Sequence, residues 1–230
     1  MKFANKLADF WGKRTMARVA KYSGETNVMN ILRHNDRLPE TYKNKDVDLT
    51  RSHQNVYLSP TRGMSSWSYY RKRLGELYVY KHRKLVTLCE WIVTCPKGLT
   101  EEEMHVFFQL TYRFLVERYH EGEASCIQAV VHRDETQWSG HMHFTWIPTV
   151  PDKKHGGAKV CCVEVLNRTE LRDFHPALQK FMIDHGLPQA RVVTGIMKEQ
   201  DRSYTVEEQK QTREKKQAES PVAAYNYEPW

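Results

Sequence analysis

Apolar positions along this chain follow two rhythms, one every second residue and one every three to four, and their succession lays out the elements. Phe3, Leu7, Phe10 and Trp11 recur at helical spacing in MKFANKLADFWGKRT, which predicts a short amphipathic helix over 1–15. MARVAKYS (16–23) reads as a strand. Beyond Gly24, Val28, Ile31 and Leu32 return to helical spacing as far as Leu38, and Pro39 ends that helix. Residues 40–64 are polar, carry Asn, Asp, Gly and Pro, and read as an irregular loop; a Tyr- and Arg-rich helix is predicted from about Ser65 to Arg83. LVTLCEWIVT (85–94), apolar and β-branched, is predicted as a buried strand closed by Pro96 and Gly98. Thr100 with Glu103 makes a capping box for the long helix TEEEMHVFFQLTYRFLVERYH. Two strands, 124–134 and 141–150, follow around ETQWSG, and Gly156 and Gly157 turn the chain into KVCCVEVL (159–166), read as a further strand. A helix from about Arg168 to His185 completes the pattern. Past Gly195 the residues are polar almost throughout, which predicts a solvated helix and a loose tail.

This order implies an α+β fold, an antiparallel β-sheet covered by helices. The main domain is expected at 16–195, between the helix over 1–15 and the polar segment 196–230. Five scattered cysteines without a CxxC spacing indicate neither a disulfide framework nor a zinc ribbon, and fit a reducing cytoplasm. No apolar run approaches a membrane span, and charges interrupt the first fifteen residues where a signal peptide would be apolar, so stable membrane insertion is not expected. With 35 Lys+Arg against 28 Asp+Glu, the net charge of +7 tilts the partners toward polyanions such as nucleic acid.

Candidate chemistry concentrates in HRDETQWSGHMH (132–143). Side chains alternate across a strand, so His141 and His143 share a face while Met142 points to the other. A hairpin with His132 across from His143 places all three imidazoles together, and sets Ala129 and Val131 on one buried side with Met142, Phe144 and Trp146. A lone HxH pair is more often solvated than ligating; the third histidine shifts the weight to a metal. Three imidazoles that leave positions open are the pattern of a catalytic ion. Asp134 and Glu135 lie beside it, placed to orient a ligand or handle a proton. A second polar cluster, NILRHNDR (30–37), puts His34 and Arg37 three apart on one helix face with Asn30 a turn earlier. It suits a nucleophile with a phosphate clamp, and equally a solvated helix end, which the residues alone favour.

RHNDRLPETYKNKDVDLTRSHQNVYL (33–58), LCEWIVT (88–94) and the succession HRDE, HMH and IP (132–148) resemble the motifs of the Pre/Mob plasmid mobilisation relaxases, the MobV group of HUH endonucleases. The resemblance runs over roughly 16–195 and implies an HUH relaxase-like fold. It implies His132, His141 and His143 as ligands of one divalent ion, Mn2+ or Mg2+ ahead of Zn2+. It further implies Glu135 as an assisting acid and His34 as nucleophile, with Arg37 on the scissile phosphate. The expected activity is metal-dependent nicking and rejoining of one DNA strand at a transfer origin, through a covalent 5′-phosphate adduct. The expected partners are origin DNA, as single strand and hairpin, and the coupling machinery of conjugation. Two features depart from the family pattern. The spacer TQWSG is longer than usual and lacks proline, and the chain ends soon after the relaxase domain, where relatives commonly continue into helical regions.

DNA contacts are expected from Arg33, Lys45, Arg51, Asn55, Arg62, Arg71 and Arg73, basic and amide side chains interleaved with aromatics. The plain alternative is a solvated basic loop and helix face. Two other functions remain at this point: an HUH replication initiator or transposase using one of Tyr22, Tyr69, Tyr70, Tyr78 and Tyr80, and a non-catalytic DNA-binding plasmid-control protein with structural histidines.

Overall fold

The apolar, β-branched run predicted at 85–94 becomes strand β4 (Val86–Thr94), and the main sheet is built around it. A computed structural model describes residues 14–15, 17–38, 47–81, 84–96, 98–135 and 140–192. The chain divides into two compact units, Met1–Gly195 and Ile196–Trp230, and every described residue belongs to the first. The expected polar helix and tail therefore lie outside the described residues. So does the expected N-terminal helix except at its end, where Arg14–Thr15 form strand β1, parallel to β9 (Arg191–Val192).

Five strands make the main sheet, in the order β2 (Ala17–Ser23), β4, β6 (His141–Trp146), β5 (Cys126–His132) and β3 (Val56–Tyr57). All neighbours in it are antiparallel. Alternation along β4 sends Cys89, Trp91 and Val93 to one side and Leu88 and Glu90 to the other. The first side meets α3 (Glu101–Arg118) and α5 (Arg168–Asp184) in the larger core, where Trp91, Met142, Phe144 and Trp146 pack with Phe107, Phe114, Leu115 and Phe174. The predicted capping box is present at Thr100 and Glu103. The second side meets α1 (Glu25–Asn35) and α2 (Ser66–Gly75) in a smaller core of Val28, Leu32, Tyr70, Leu88, Ile127 and Ile147. The α+β architecture is thus a sheet between two helical layers.

Other elements also differ from expectation. Helix α2 stops at Gly75 instead of near Arg83, because the chain beyond it turns to pair with a hairpin: Tyr78 bridges Lys159, and its backbone bonds Ala158 and Val160. The strand expected over 159–166 is split into β8 (Ala158–Val160), paired with β7 (Thr149–Pro151), and the single helical turn α4 (Cys162–Val165). The loop expected over 40–64 contains a 3-10 turn, Leu49–Gln54, and the short strand β3. Among the described residues no helix is long and apolar enough to cross a membrane.

Candidate functional site

Strands β5 and β6 bring the three histidines to one end of the sheet, on the α1 side. His132 pairs with His141, and His143 pairs with Val130, so the register differs by two residues from the expected pairing of His132 with His143. A shift of two keeps every side chain on its face, and the expected apolar set, Ala129, Val131, Met142, Phe144 and Trp146, is buried on the opposite side. Gly140 permits this register. It sits at φ 66°, and a Cβ there would stand 3.0 Å from the His132 carbonyl oxygen. The ring centroids are 4.7 Å apart for His132 and His143, 4.8 Å for His141 and His143, and 5.5 Å for His132 and His141.

The hydrogen bonds of these rings settle which nitrogens face one another. His132 Nε2–H donates to the Asn35 carbonyl at 2.9 Å, and His143 Nδ1–H donates to Glu90 Oε1 at 2.8 Å. An oxygen of either kind only accepts here, so in a neutral ring the remaining nitrogen is the one that carries the lone pair. His132 Nδ1 and His143 Nε2 are both buried without a hydrogen-bond partner. A buried acceptor left unsatisfied costs about 1–3 kcal/mol, and an ion offsets that cost. One nitrogen from each of the three imidazoles lies within 4.8 Å of the others, so the residues fit a divalent metal. Burial, with neighbouring positive charge, holds His132 down to about 3 and His141 well below the ordinary histidine value, which keeps both neutral as ligands must be.

Glu90, which lies within LCEWIVT and was not among the expected site residues, stands behind this group. It is fully buried, and it accepts from His143, from Asn35 Nδ2 at 2.9 Å and from the Tyr22 hydroxyl at 2.7 Å. Burial pushes its carboxyl up, but these three donors bring it below the usual carboxylate value. A carboxylate behind a ligating imidazole fixes the tautomer and raises the basicity of the ligand. Glu90→Gln is therefore expected to weaken Mn2+ binding by roughly 10- to 100-fold. Calorimetric titration of the two proteins reads this directly, and equal affinities would remove Glu90 from the site.

His34 closes the group from the end of α1. Its ring lies 6.3 Å from His132 and 6.4 Å from His143, centroid to centroid. Val28 and Leu32 anchor α1 in the smaller core, and Asn35 ties its end to Glu90 and His132. The approach to Arg37 differs from expectation. The helix ends at Asn35, and Arg37 takes a left-handed backbone, φ 55°, that a non-glycine residue adopts at a cost of roughly 1–3 kcal/mol. Chain reversal, not helical spacing, brings Arg37 Nη1 to 3.4 Å from His34 Nε2. Asn30, expected on the same side, is exposed.

The Arg37 fork engages acids. Nε and Nη2 donate to Asp134 at 2.8 and 2.7 Å, and Nη2 also reaches Glu135 Oε1 at 2.8 Å. Asp134 further accepts from Ser52 at 2.7 Å and Asn55 at 2.8 Å, so it organises the 48–55 segment. Against the upward push of burial, these donors hold its carboxyl well below the usual range. Glu135 Oε2 lies 3.9 Å from His141 Nε2. Burial first, then Arg37, holds the His34 imidazole down to about 4.

Known proteins similar to this chain in sequence and fold carry the comparison further. The sequence pattern of the plasmid recombination enzyme family, Mob_Pre, matches residues 12–217. The chain belongs to this family. A plasmid recombination enzyme of Streptococcus agalactiae is 32% identical over 70% of this chain and 32% of its own length. One from Lactiplantibacillus plantarum is 27% identical over 86% of this chain and 54% of its own. This chain thus spans about a third to a half of those Mob_Pre relatives. A crystal structure of the MobM relaxase domain, manganese-bound and bound to plasmid pMV158 oriT DNA, aligns with a TM-score of 0.69 at 29% identity. It covers 86% of this chain and 98% of that one, and the HUH relaxase fold is shared.

The basic residues of this Mob_Pre chain divide into two groups. Arg33 is exposed, and Arg71, with a side chain 55% exposed, pairs with Glu25 at 3.0 Å. The others are engaged within the protein. Arg51 donates to the Arg133 carbonyl at 2.8 Å, and Asn55 both holds Asp134 and accepts from Arg133 N–H. Arg62 donates to the carbonyls of Glu123 and Cys126, and Arg73 to that of Ala124 and to Glu121. Lys45 lies outside the described residues. Of the tyrosines, Tyr70 bonds Thr87, Tyr69 bonds the Ala124 carbonyl, and Tyr78 stacks on His155 beside Tyr80. Tyr22 is pushed far up by burial and by Glu90, which disfavours the phenolate a nucleophile needs. Tyr57, which was not among the expected tyrosines, pairs with Val130 in the cross-strand row of His143 and is 55% exposed.

Proposed function

We propose that this chain is a metal-dependent DNA relaxase, which nicks one strand at a plasmid or mobile-element transfer origin and later rejoins it. The observation that carries the reading is the His34 ring, 6.3 and 6.4 Å from two buried imidazoles that each keep one nitrogen without a hydrogen-bond partner. His132, His141 and His143 would hold the ion, and the manganese of the related MobM structures favours Mn2+ over Mg2+ or Zn2+. Bound there, it would supply the positive charge that neutralises the phosphoryl oxygens. Glu90 orients His143. Arg37 and burial keep a lone pair on His34, while Asp134 and Glu135 hold Arg37 in place. His34 attacks phosphorus in line; the N–P bond forms as the P–O3′ bond breaks, the other ring nitrogen releases its proton to solvent, and the 3′ oxygen takes up a proton from solvent and departs as the 3′-OH. The 5′-phosphate stays on His34 as a phosphoramidate, which conserves the bond for rejoining. The substrate is origin DNA, as in the MobM complexes; the proposed setting is the bacterial cytoplasm, with the conjugative coupling machinery as a further partner.

The test is nicking of a supercoiled plasmid that carries the origin, with and without a chelator. Conversion to open circles that stops with chelator and returns with Mn2+ is expected. Binding without any nicking would leave a plasmid-control protein with structural histidines.

DNA affinity is expected to fall steeply with salt, because phosphate contacts release counterions. Arg71→Ala is expected to flatten the slope of log affinity against log salt by about 0.7–0.9. Arg62→Ala and Arg73→Ala, which break bonds to backbone carbonyls, are expected to lower the unfolding midpoint more than they change that slope. Fluorescence anisotropy across a salt series, paired with denaturant melts, reads both; a slope unchanged in Arg71→Ala would take that residue off the DNA path.

A further inference from the structure

The sheet face turned away from the histidines carries a close pair of thiols. Cys89 leaves β4 on the side opposite Glu90, and Cys162 begins the single turn α4; their sulfurs lie 3.6 Å apart in the larger core. Both are free thiols, 0% and 5% exposed. They are 73 residues apart in sequence, so a bond between them would close a long loop. We propose that Cys89 and Cys162 form a modification site, a disulfide made by exposure to a peroxide, that ties β4 to α4. The geometry asks little. A disulfide needs sulfurs about 2.05 Å apart and χ3 near 90°, so the thiols must close by about 1.5 Å from their 3.6 Å separation. The element that must move is only four residues long, and Val163, next to Cys162 in it, is 80% exposed.

The chemistry has a defined order. The Cys89 S–H and the Lys21 ammonium bring the Cys162 thiol down to about 7 against the effect of burial, whereas burial pushes Cys89 well up. Cys162 is therefore the sulfur that carries thiolate near neutral pH and attacks the peroxide. Its sulfur takes one peroxide oxygen as a sulfenic acid, and the other oxygen leaves as water. Cys89 sulfur then displaces the sulfenic oxygen, which leaves as a second water. Two thiols lose two electrons and two protons, and one hydrogen peroxide is reduced to two waters.

The experiment treats the folded, reduced full chain with hydrogen peroxide, removes the excess with catalase, and counts thiols after denaturation. The count is expected to fall from five to three, since two cysteines are consumed. The intact mass should fall by about 2 Da. A non-reducing peptide map should show Cys89 joined to Cys162, and dithiothreitol should restore all five thiols. Cys162→Ser, a substitution in the short turn α4 and not in the central strand β4, should form no intrachain link under the same exposure. A thiol count that stays at five, a link that maps to any other pair, or a link between two chains would overturn the proposal. None of these readouts uses DNA or a divalent ion, so they stand or fall apart from the relaxase reading.

Discussion

His141→Ala is expected to reduce nicking by roughly 100-fold or more while affinity for uncleaved origin DNA is largely retained. The substitution takes one of three ligand nitrogens from a site whose other two, on His132 and His143, lie buried without partners. It is a cleaner probe than His143→Ala. The His143 ring donates to the fully buried Glu90, so its loss strips a buried carboxylate of one of its three donors. That adds a stability cost of about 1–3 kcal/mol to the loss of the ligand. His141 has a side chain 13% exposed, and its closest acid, Glu135, is 3.9 Å away. The pair of variants therefore separates ligation from folding. Both are expected to lose bound Mn2+ and nicking, and only His143→Ala is expected to lose several degrees in its unfolding temperature. Unchanged metal stoichiometry and nicking in both variants would mean the ion binds elsewhere.

The three-histidine face was legible because period-two alternation records which side of a sheet a residue occupies. It does not record register to within two residues, because a slip of two returns each side chain to the same face. His132 could thus be matched with His143 and still be placed correctly beside it, although its partner in the ladder is His141. Glu90 was within reach of the same reasoning. A lone carboxylate inside VTLCEWIVT, on the face that alternation assigns to the histidines, has no reason to be buried unless something polar waits for it. Arg37 lay beyond that reasoning. Its place depends on a left-handed backbone after α1 and on Asp134, 97 residues later, and neither leaves a periodic mark. The overlong α2 has a simpler cause, since Gly75 was a usable stop signal in a run otherwise rich in Tyr and Arg.

Nicking through His34 is expected to persist well below the pH at which an ordinary histidine would fail. A neutral imidazole is needed for attack, and the reference value is near 6.5, but burial and Arg37 hold this group down to about 4. The sign is fixed by that direction. Protonation is disfavoured in the folded protein, so the nucleophile stays competent as pH falls through 6.5 and is lost only near 4. Arg37→Ala removes one of the causes, so its acid limb is expected to move upward, toward higher pH, as well as to lose rate. Metal ligation also weakens as imidazoles protonate, so saturating Mn2+ must be held constant across the series. The adduct supplies the independent measurement. A phosphoramidate on histidine nitrogen hydrolyses in mild acid and survives alkali, whereas a phosphotyrosine ester tolerates that acid. An oligonucleotide trapped on the protein should be released after exposure to acid, and His34→Ala should form no adduct. An acid-stable link, or full nicking by His34→Ala, would move the nucleophile to a tyrosine. Tyr57 would then be the first to test, because it shares the cross-strand row of His143 and is exposed to an incoming strand.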